Sequence, residues 1–282
     1  MLMMIVKRLV WLSILLSSLS TGATYAGVLI AARDLEDFAA TVRDQLAKTT
    51  TAGATAGATT LIDTSYQVNG IGDGGGFLYA GSAIQDNFLR IDYDGNLLTS
   101  GTSAGYKNSC CNEDIAYDPL TNTVYRGLYN DSIVAVNGTT GAPIATFAQT
   151  DVVGMAHVNG RIWISKWSGR EVGIWDPLTN IYTKVFDTDG GGGIDGNTGG
   201  LAFDPIDQIL WIGFQGGIVT PWSLAGTRLG PGYLPFGAMS QTIDGLVFLG
   251  ESRPVPEPAS LLLVAIGVVA VAARRRLKVR RA

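Results

Sequence analysis

Apolar and polar positions alternate in short runs through most of the chain, and turn residues interrupt them every few positions. Ile115-Ala116-Tyr117 leads through Asp118-Pro119-Leu120 into Thr123-Val124-Tyr125. Leu201-Ala202-Phe203 leads through Asp204-Pro205-Ile206 into Ile209-Leu210-Trp211-Ile212. Period-two runs bounded by Gly, Pro, Asn and Asp mark half-buried strands. Met155-Ala156-His157-Val158 before Arg161-Ile162-Trp163, Phe77-Leu78-Tyr79 and Gly245-Leu246-Val247-Phe248 have the same cadence. Further strand runs follow at Ile133–Val136, Ile144–Phe147, Val172–Trp175 and Ile181–Phe186, separated by Asp94-Gly95, Asn137-Gly138, Asn159-Gly160 and Asp176-Pro177.

The marker aromatics Tyr79, Tyr125, Trp163, Trp211 and Phe248 recur at steps of about 42 residues, the length of a propeller blade. Four strands per repeat predict an all-β chain, a β-propeller of about five short four-stranded blades spanning 61–252. Phe236 to Glu251 begins the last blade, and Leu61 to Gln67 is the stretch expected to complete it by closing the ring. Ahead of the repeats, Leu35, Phe38, Val42 and Leu46 recur at three to four residues and predict a short amphipathic helix. Thr49 to Thr60 is small and low in complexity, so 27–60 reads as a helix followed by a linker. The Gly-Leu-Ala-Phe-Asp-Pro…Leu-Trp-Ile-Gly cadence at Gly200–Gly213 resembles the NHL, SMP-30 and quinoprotein-like propellers. That resemblance implies architecture and leaves activity open, because function resides in sites rather than in the fold.

The two ends follow another pattern. Lys7 and Arg8 precede the apolar run Leu9–Leu19, and Thr24-Tyr25-Ala26 precedes Gly27. A basic flank, an apolar run and small residues in that order make 1–26 a secretory signal peptide, helical and removed by signal peptidase. At the other end Val255-Pro256-Glu257-Pro258 precedes an apolar stretch, 259–273, and then Arg274, Arg275 and Arg276. Fifteen helical residues reach about 22 Å, short of a bilayer core of about 30 Å unless flanking arginines snorkel. The arginines hold the tail's end in the cytoplasm. Val-Pro-Glu-Pro, apolar helix and Arg-rich tail together, 255–281, resemble a PEP-CTERM sorting domain. The resemblance implies a Gram-negative, biofilm-forming source and an exosortase-type membrane protease acting at Pro256-Glu257-Pro258. It also implies transient anchoring in the inner membrane, then delivery to the cell surface or extracellular matrix, with exopolysaccharide or matrix components as partners.

Charge sharpens this picture. The chain carries a formal charge of −4, but between its two basic ends, over 27–254, 12 basic residues face 23 acidic ones. A body this acidic repels nucleic acid and attracts cations. Asp187, Asp189, Asp195 and Asn197 surround a glycine run and form a candidate calcium loop, lacking the third acid and the closing Glu of an EF-hand. The other reading is a solvated inter-blade loop. Asp92-Tyr93-Asp94-Gly95-Asn96 reads as a hairpin turn. Cys110 and Cys111, the two cysteines, are adjacent. In an oxidising exterior they form a vicinal disulfide, pair between molecules, or remain thiols.

Signals for catalysis are thin. His157 takes the slot held by Tyr117 and Phe203 in sister repeats, which reads as packing, and the sequence offers no partner for a general base. Gly101-Thr102-Ser103-Ala104-Gly105 matches a nucleophile elbow without its helix. Gly70-x-Gly72-x-x-Gly75 and Gly191-x-Gly193-x-x-Gly196 match the dinucleotide fingerprint equally without one. Glu113 and Asp114 stand where a propeller channel opens, as in lactonase-type propellers. They are the basis of an alternative reading, a secreted metal-dependent hydrolase. The first reading is an exported, non-enzymatic binding or matrix protein.

Overall fold

A computed structural model describes residues 27–33, 45–51, 60–63, 68–81, 87–102, 112–128, 131–188, 196–237 and 242–250. The signal and membrane helices expected at the ends lie outside these residues. No helix among the described residues is long and apolar enough to cross a membrane.

The described residues form antiparallel strands. In chain order they begin with β1 (Val28–Arg33), β2 (Gln45–Thr50) and β3 (Thr60–Asp63). One blade follows from β4 (Ile71–Asp73), β5 (Leu78–Gly81), β6 (Asn87–Ile91) and β7 (Leu97–Thr102). The next contains β8 (Asn112–Asp118), β9 (Thr123–Leu128), β10 (Ile133–Asn137) and β11 (Pro143–Phe147). A third contains β12 (Val152–Val158), β13 (Arg161–Lys166), β14 (Glu171–Asp176) and β15 (Ile181–Asp187). A fourth has three strands, β16 (Thr198–Asp204), β17 (Ile209–Phe214) and β18 (Val219–Ser223). Beyond β18, bridges Val219–Tyr233 and Trp222–Arg228 put an irregular segment where a fourth strand would lie. It contains Gly230, Pro231 and Gly232, which do not sustain a regular strand.

The fifth blade joins the two ends of the ring. β19 (Gly245–Leu249) pairs with β1, and the sheet order is β19-β1-β2-β3. The architecture is therefore a five-bladed β-propeller. The helix and linker expected over 27–60 give way to strands at both ends of that stretch. Leu46, the last residue of the apparent helical stripe, is fully buried in β2. Thr49 and Thr50 continue β2, and Thr60 opens β3. Leu35, Phe38 and Val42 lie outside the described residues. A helical stripe read over 35–46 crossed a strand boundary, and the need to close the ring prevailed over local periodicity.

Between blades the marker aromatics pack on their neighbours. Tyr125 meets Trp175 edge-on at 5.5 Å, and Phe147 meets the same ring at 4.9 Å. Phe186 stacks on Trp222 at 5.7 Å, and Tyr79 tilts against Tyr117 at 5.0 Å. Each fully buried Leu, Ile or Val contributes about 1.5–3 kcal/mol relative to exposure. Turns at one end of the blades use the expected chemistry. Asn159 and Gly160 both have positive φ (50° and 78°), as a type I′ hairpin requires. The identical sequences Asp118–Asn122 and Asp176–Asn180 fold alike. In each, the Asp carboxylate accepts the N–H two residues on, at 2.9 Å, and the Thr hydroxyl. Asn122 and Asn180 adopt φ of 52° and 55°.

Candidate functional site: a funnel closed on the axis

The inner strands β4, β8, β12, β16 and β19 run side by side around the axis. Register aligns them residue for residue. Ala116, Ala156 and Ala202 stand opposite the markers Tyr125, Trp163 and Trp211, and Gly72 stands opposite Tyr79. Two positions earlier the aligned residues are Gly70, Asp114, Gly154, Gly200 and, in the closing blade, Gly245. Four blades place a glycine nearest the axis, and one places an aspartate.

The glycines are there because the strands converge. A Cβ on Gly154 would lie 2.2 Å from the Gly199 carbonyl oxygen, one on Gly200 2.8 Å from Gly245 backbone, and one on Gly245 2.7 Å from the Asn69 carbonyl oxygen. Room remains for a single side chain, and Asp114 takes it. Asp114 is 1% exposed. Its Oδ1 accepts the N–H of Ile115 at 3.0 Å, and its Oδ2 accepts those of Met155 at 3.1 Å and Leu201 at 2.8 Å. Leu246 of the closing blade adds another backbone donor. Burial pushes the carboxyl well above its usual range, while the N–H groups of Leu201, Met155, Ile115 and Leu246 pull it back.

Above this floor opens a funnel of about 550 Å³. Its wall includes Ala116, Ala156, Ala202 and Val247, then Tyr117, His157, Phe203 and Phe248, and its rim includes Asp73, Pro119, Asn159 and Pro205. The Asp73 carboxylate accepts the Tyr93 hydroxyl at 2.8 Å, and burial, then Asp73, pushes that phenol up to about 12. The Tyr117 hydroxyl donates to Asn122. His157 also lines a side cleft of about 340 Å³ with Asp118, Tyr125, Arg161, Trp175 and Asp176. Its Nε2 stands 3.9 Å from Asp118 Oδ1, an ion-pair distance once the ring is protonated. Burial pushes the Asp118 carboxyl up, but Thr121, the Leu120 N–H and His157 outweigh it and hold the group below its usual value.

The slot reading of His157 holds, since it occupies the position of Tyr117 and Phe203 in its own strand. The neighbouring Asp118 was missed, because it looked like a turn residue only. Of the pair Glu113 and Asp114 considered for a metal, both Asp114 oxygens accept backbone N–H groups, and the Glu113 side chain lies outside what the structure describes. Asp92 is also engaged, accepting the N–H groups of Asp94 and Asn96 and the Asn96 amide within its hairpin. Of the calcium candidates, Asp187 pairs with Lys184 at 2.6 Å and Asn197 accepts Arg170 Nε at 3.2 Å. Asp189 and Asp195 lie outside the described residues, as do Cys110, Cys111, Val255, Pro256, Glu257, Pro258, Arg274, Arg275 and Arg276. Gly101 and Thr102 end β7, and no helix follows among the described residues. Nor does any group of three His, Cys, Asp or Glu among them stand ready to hold a metal ion.

Residues 254–276 match the model of the PEP-CTERM protein-sorting motif. The chain carries a PEP-CTERM sorting signal. That signal marks an exported protein, anchored at its C-terminus and processed by exosortase before surface release. No curated protein matches the chain. Among solved structures, a chain in a crystal structure of a nidogen/laminin complex is similar at a TM-score of 0.53 and 11% identity. The match covers 80% of this chain and 98% of that one. With 1140 solved chains found similar, the likeness specifies architecture and nothing narrower.

Proposed function

We propose that the PEP-CTERM propeller is a non-enzymatic binding protein of the cell surface or matrix, and that the funnel over Asp114 is where it takes its ligand. The observation that supports this is the funnel's lining. Small residues leave space, Tyr117, Phe203 and Phe248 offer apolar surface, and Asp73, Asn159 and His157 offer polar contacts at the rim. A concave site that is mostly apolar with a few convergent polar groups is the usual form of a ligand pocket. The chemistry fits a neutral polyhydroxyl ligand of the kind found in exopolysaccharide. Its hydroxyls would meet Asp73, Asn159 and His157 while its ring faces lie on the aromatics. The acidic body disfavours polyanions.

A glycan array and a matrix pull-down with the exported protein, each run with calcium and with chelator, test the reading. Binding that is lost in Tyr117→Ala or His157→Ala, with the fold intact by circular dichroism, supports the funnel. Binding unaffected by both substitutions moves the site elsewhere, and turnover of an ester or lactone panel would overturn the non-enzymatic role.

A further inference from the structure

The axis holds a feature that ligand binding in the funnel does not use. Backbone N–H groups of Ile115, Met155 and Leu201, from three different blades, converge on one carboxylate, and Leu246 adds a donor from a fourth. These amides face the axis rather than a paired strand. Left bare in a buried place, each would carry the desolvation cost of an unsatisfied donor. Three such hydrogen bonds, from three blades, meet on one carboxyl group, as oriented amides converge on an acceptor in nests and oxyanion holes. The other four blades place glycine at the position of Asp114, so none of them supplies a side-chain acceptor there.

We propose that the axis of this propeller is a built carboxylate-binding ring, and that the Asp114 side chain is its resident, covalently tethered ligand. Occupancy of the ring joins four blades to one another. The ring selects a compact carboxyl group, since one oxygen takes N–H groups from two neighbouring blades while the other takes that of Ile115. A free carboxylate of the smallest size, formate, is therefore the probe that matches the space vacated when the Asp114 side chain is cut back to its Cβ.

The test uses the full-length chain with Asp114→Ala, melted across a formate titration at constant ionic strength and at pH 4, where the buried carboxyl of the parent makes its full contribution. The variant is expected to melt well below the parent. Formate should raise its Tm in a saturable manner, as mass action requires of a ligand that binds only the folded form. The parent, whose ring is filled, should not respond. Neutral formamide and chloride at equal concentration should leave the variant unchanged. Asp114→Asn, of similar shape but with N–H donors facing N–H donors, should melt low and ignore formate. If Asp114→Ala is as stable as the parent, the ring needs no anion and the proposal fails. It fails equally if formate raises variant and parent alike, or if Asp114→Ala recovers no folded protein at any formate concentration. None of these outcomes bears on ligand binding in the funnel, which is read separately by the array.

Discussion

Leu29 lies directly opposite Phe248, and both are buried. Through this pair and its neighbours the first described strand of the chain and the last become adjacent members of one sheet. Truncating Leu29 to Ala removes packing at the seam and leaves a cavity, at a cost of about 2–5 kcal/mol. Leu178→Ala, at an exposed turn tip, should cost almost nothing. Urea melts of the two variants provide the comparison, and equal midpoints would show that the seam contributes no more than the surface.

Asp114 gives a pH dependence with a definite sign. Its folded carboxyl is raised by burial, so the folded state holds that proton more tightly than the unfolded chain does. The stabilising contribution is complete below the unfolded value of about 4 and is lost as pH rises through the folded one. Asp114→Asn does not titrate, so the stability of the parent relative to that variant should fall from pH 4 toward neutrality. A difference that grows with pH would mean that the surrounding N–H groups outweigh burial.

Gly154→Ala should be severely destabilising. Its new methyl would sit 2.2 Å from the Gly199 carbonyl oxygen and 2.4 Å from Ser165 Oγ, which itself donates to that carbonyl. Overpacking of this kind costs about 1–3 kcal/mol or more. Gly160→Ala meets no atom within 4 Å and has only its positive φ against it, a penalty of about 1–2 kcal/mol. Thermal melts should therefore rank Gly154→Ala below Gly160→Ala, and the reverse order would mean that the inner strands can spread.

Sorting is checked by mass. Exported protein should begin near Gly27 and end near Pro258, and Glu257→Ala should leave the tail attached and the chain with the membrane fraction. Secreted protein that still includes 274–281 would contradict exosortase processing.

The legible part of the fold was whatever repeats. Tyr79, Tyr125, Trp163 and Trp211 announce one second strand each, and Asp118, Asp176 and Asp204 announce the turns, because each blade solves the same packing problem with the same residues. The closing blade does not repeat them. β1 presents Ile30, opposite Val247, where the other blades carry the marker aromatic, and Leu46 of β2 aligned by chance with a helical spacing. Only the requirement that a ring have no free ends identifies them. Asp114 was visible as an acid but not as an axial plug. The usable signal was its slot, shared with Gly70, Gly154, Gly200 and Gly245, and a comparison of repeats by slot rather than by motif would have singled it out. Asp118 and His157 lie in neighbouring blades, so their approach follows from ring geometry and not from spacing along the chain.

The seam between β1 and β19 also governs how the molecule bears load. Val28 pairs with Leu249, so the two strands meet with their outer ends together. Tension applied between those ends does not shear the sheet, which would load all of its cross-strand bonds at once. It peels the strands apart from Val28 and Leu249 inward, one bonded pair after another. A propeller held by both ends would thus open as a clasp does, at low force and blade by blade, while compression or sideways load on the intact ring would be shared by all five sheets.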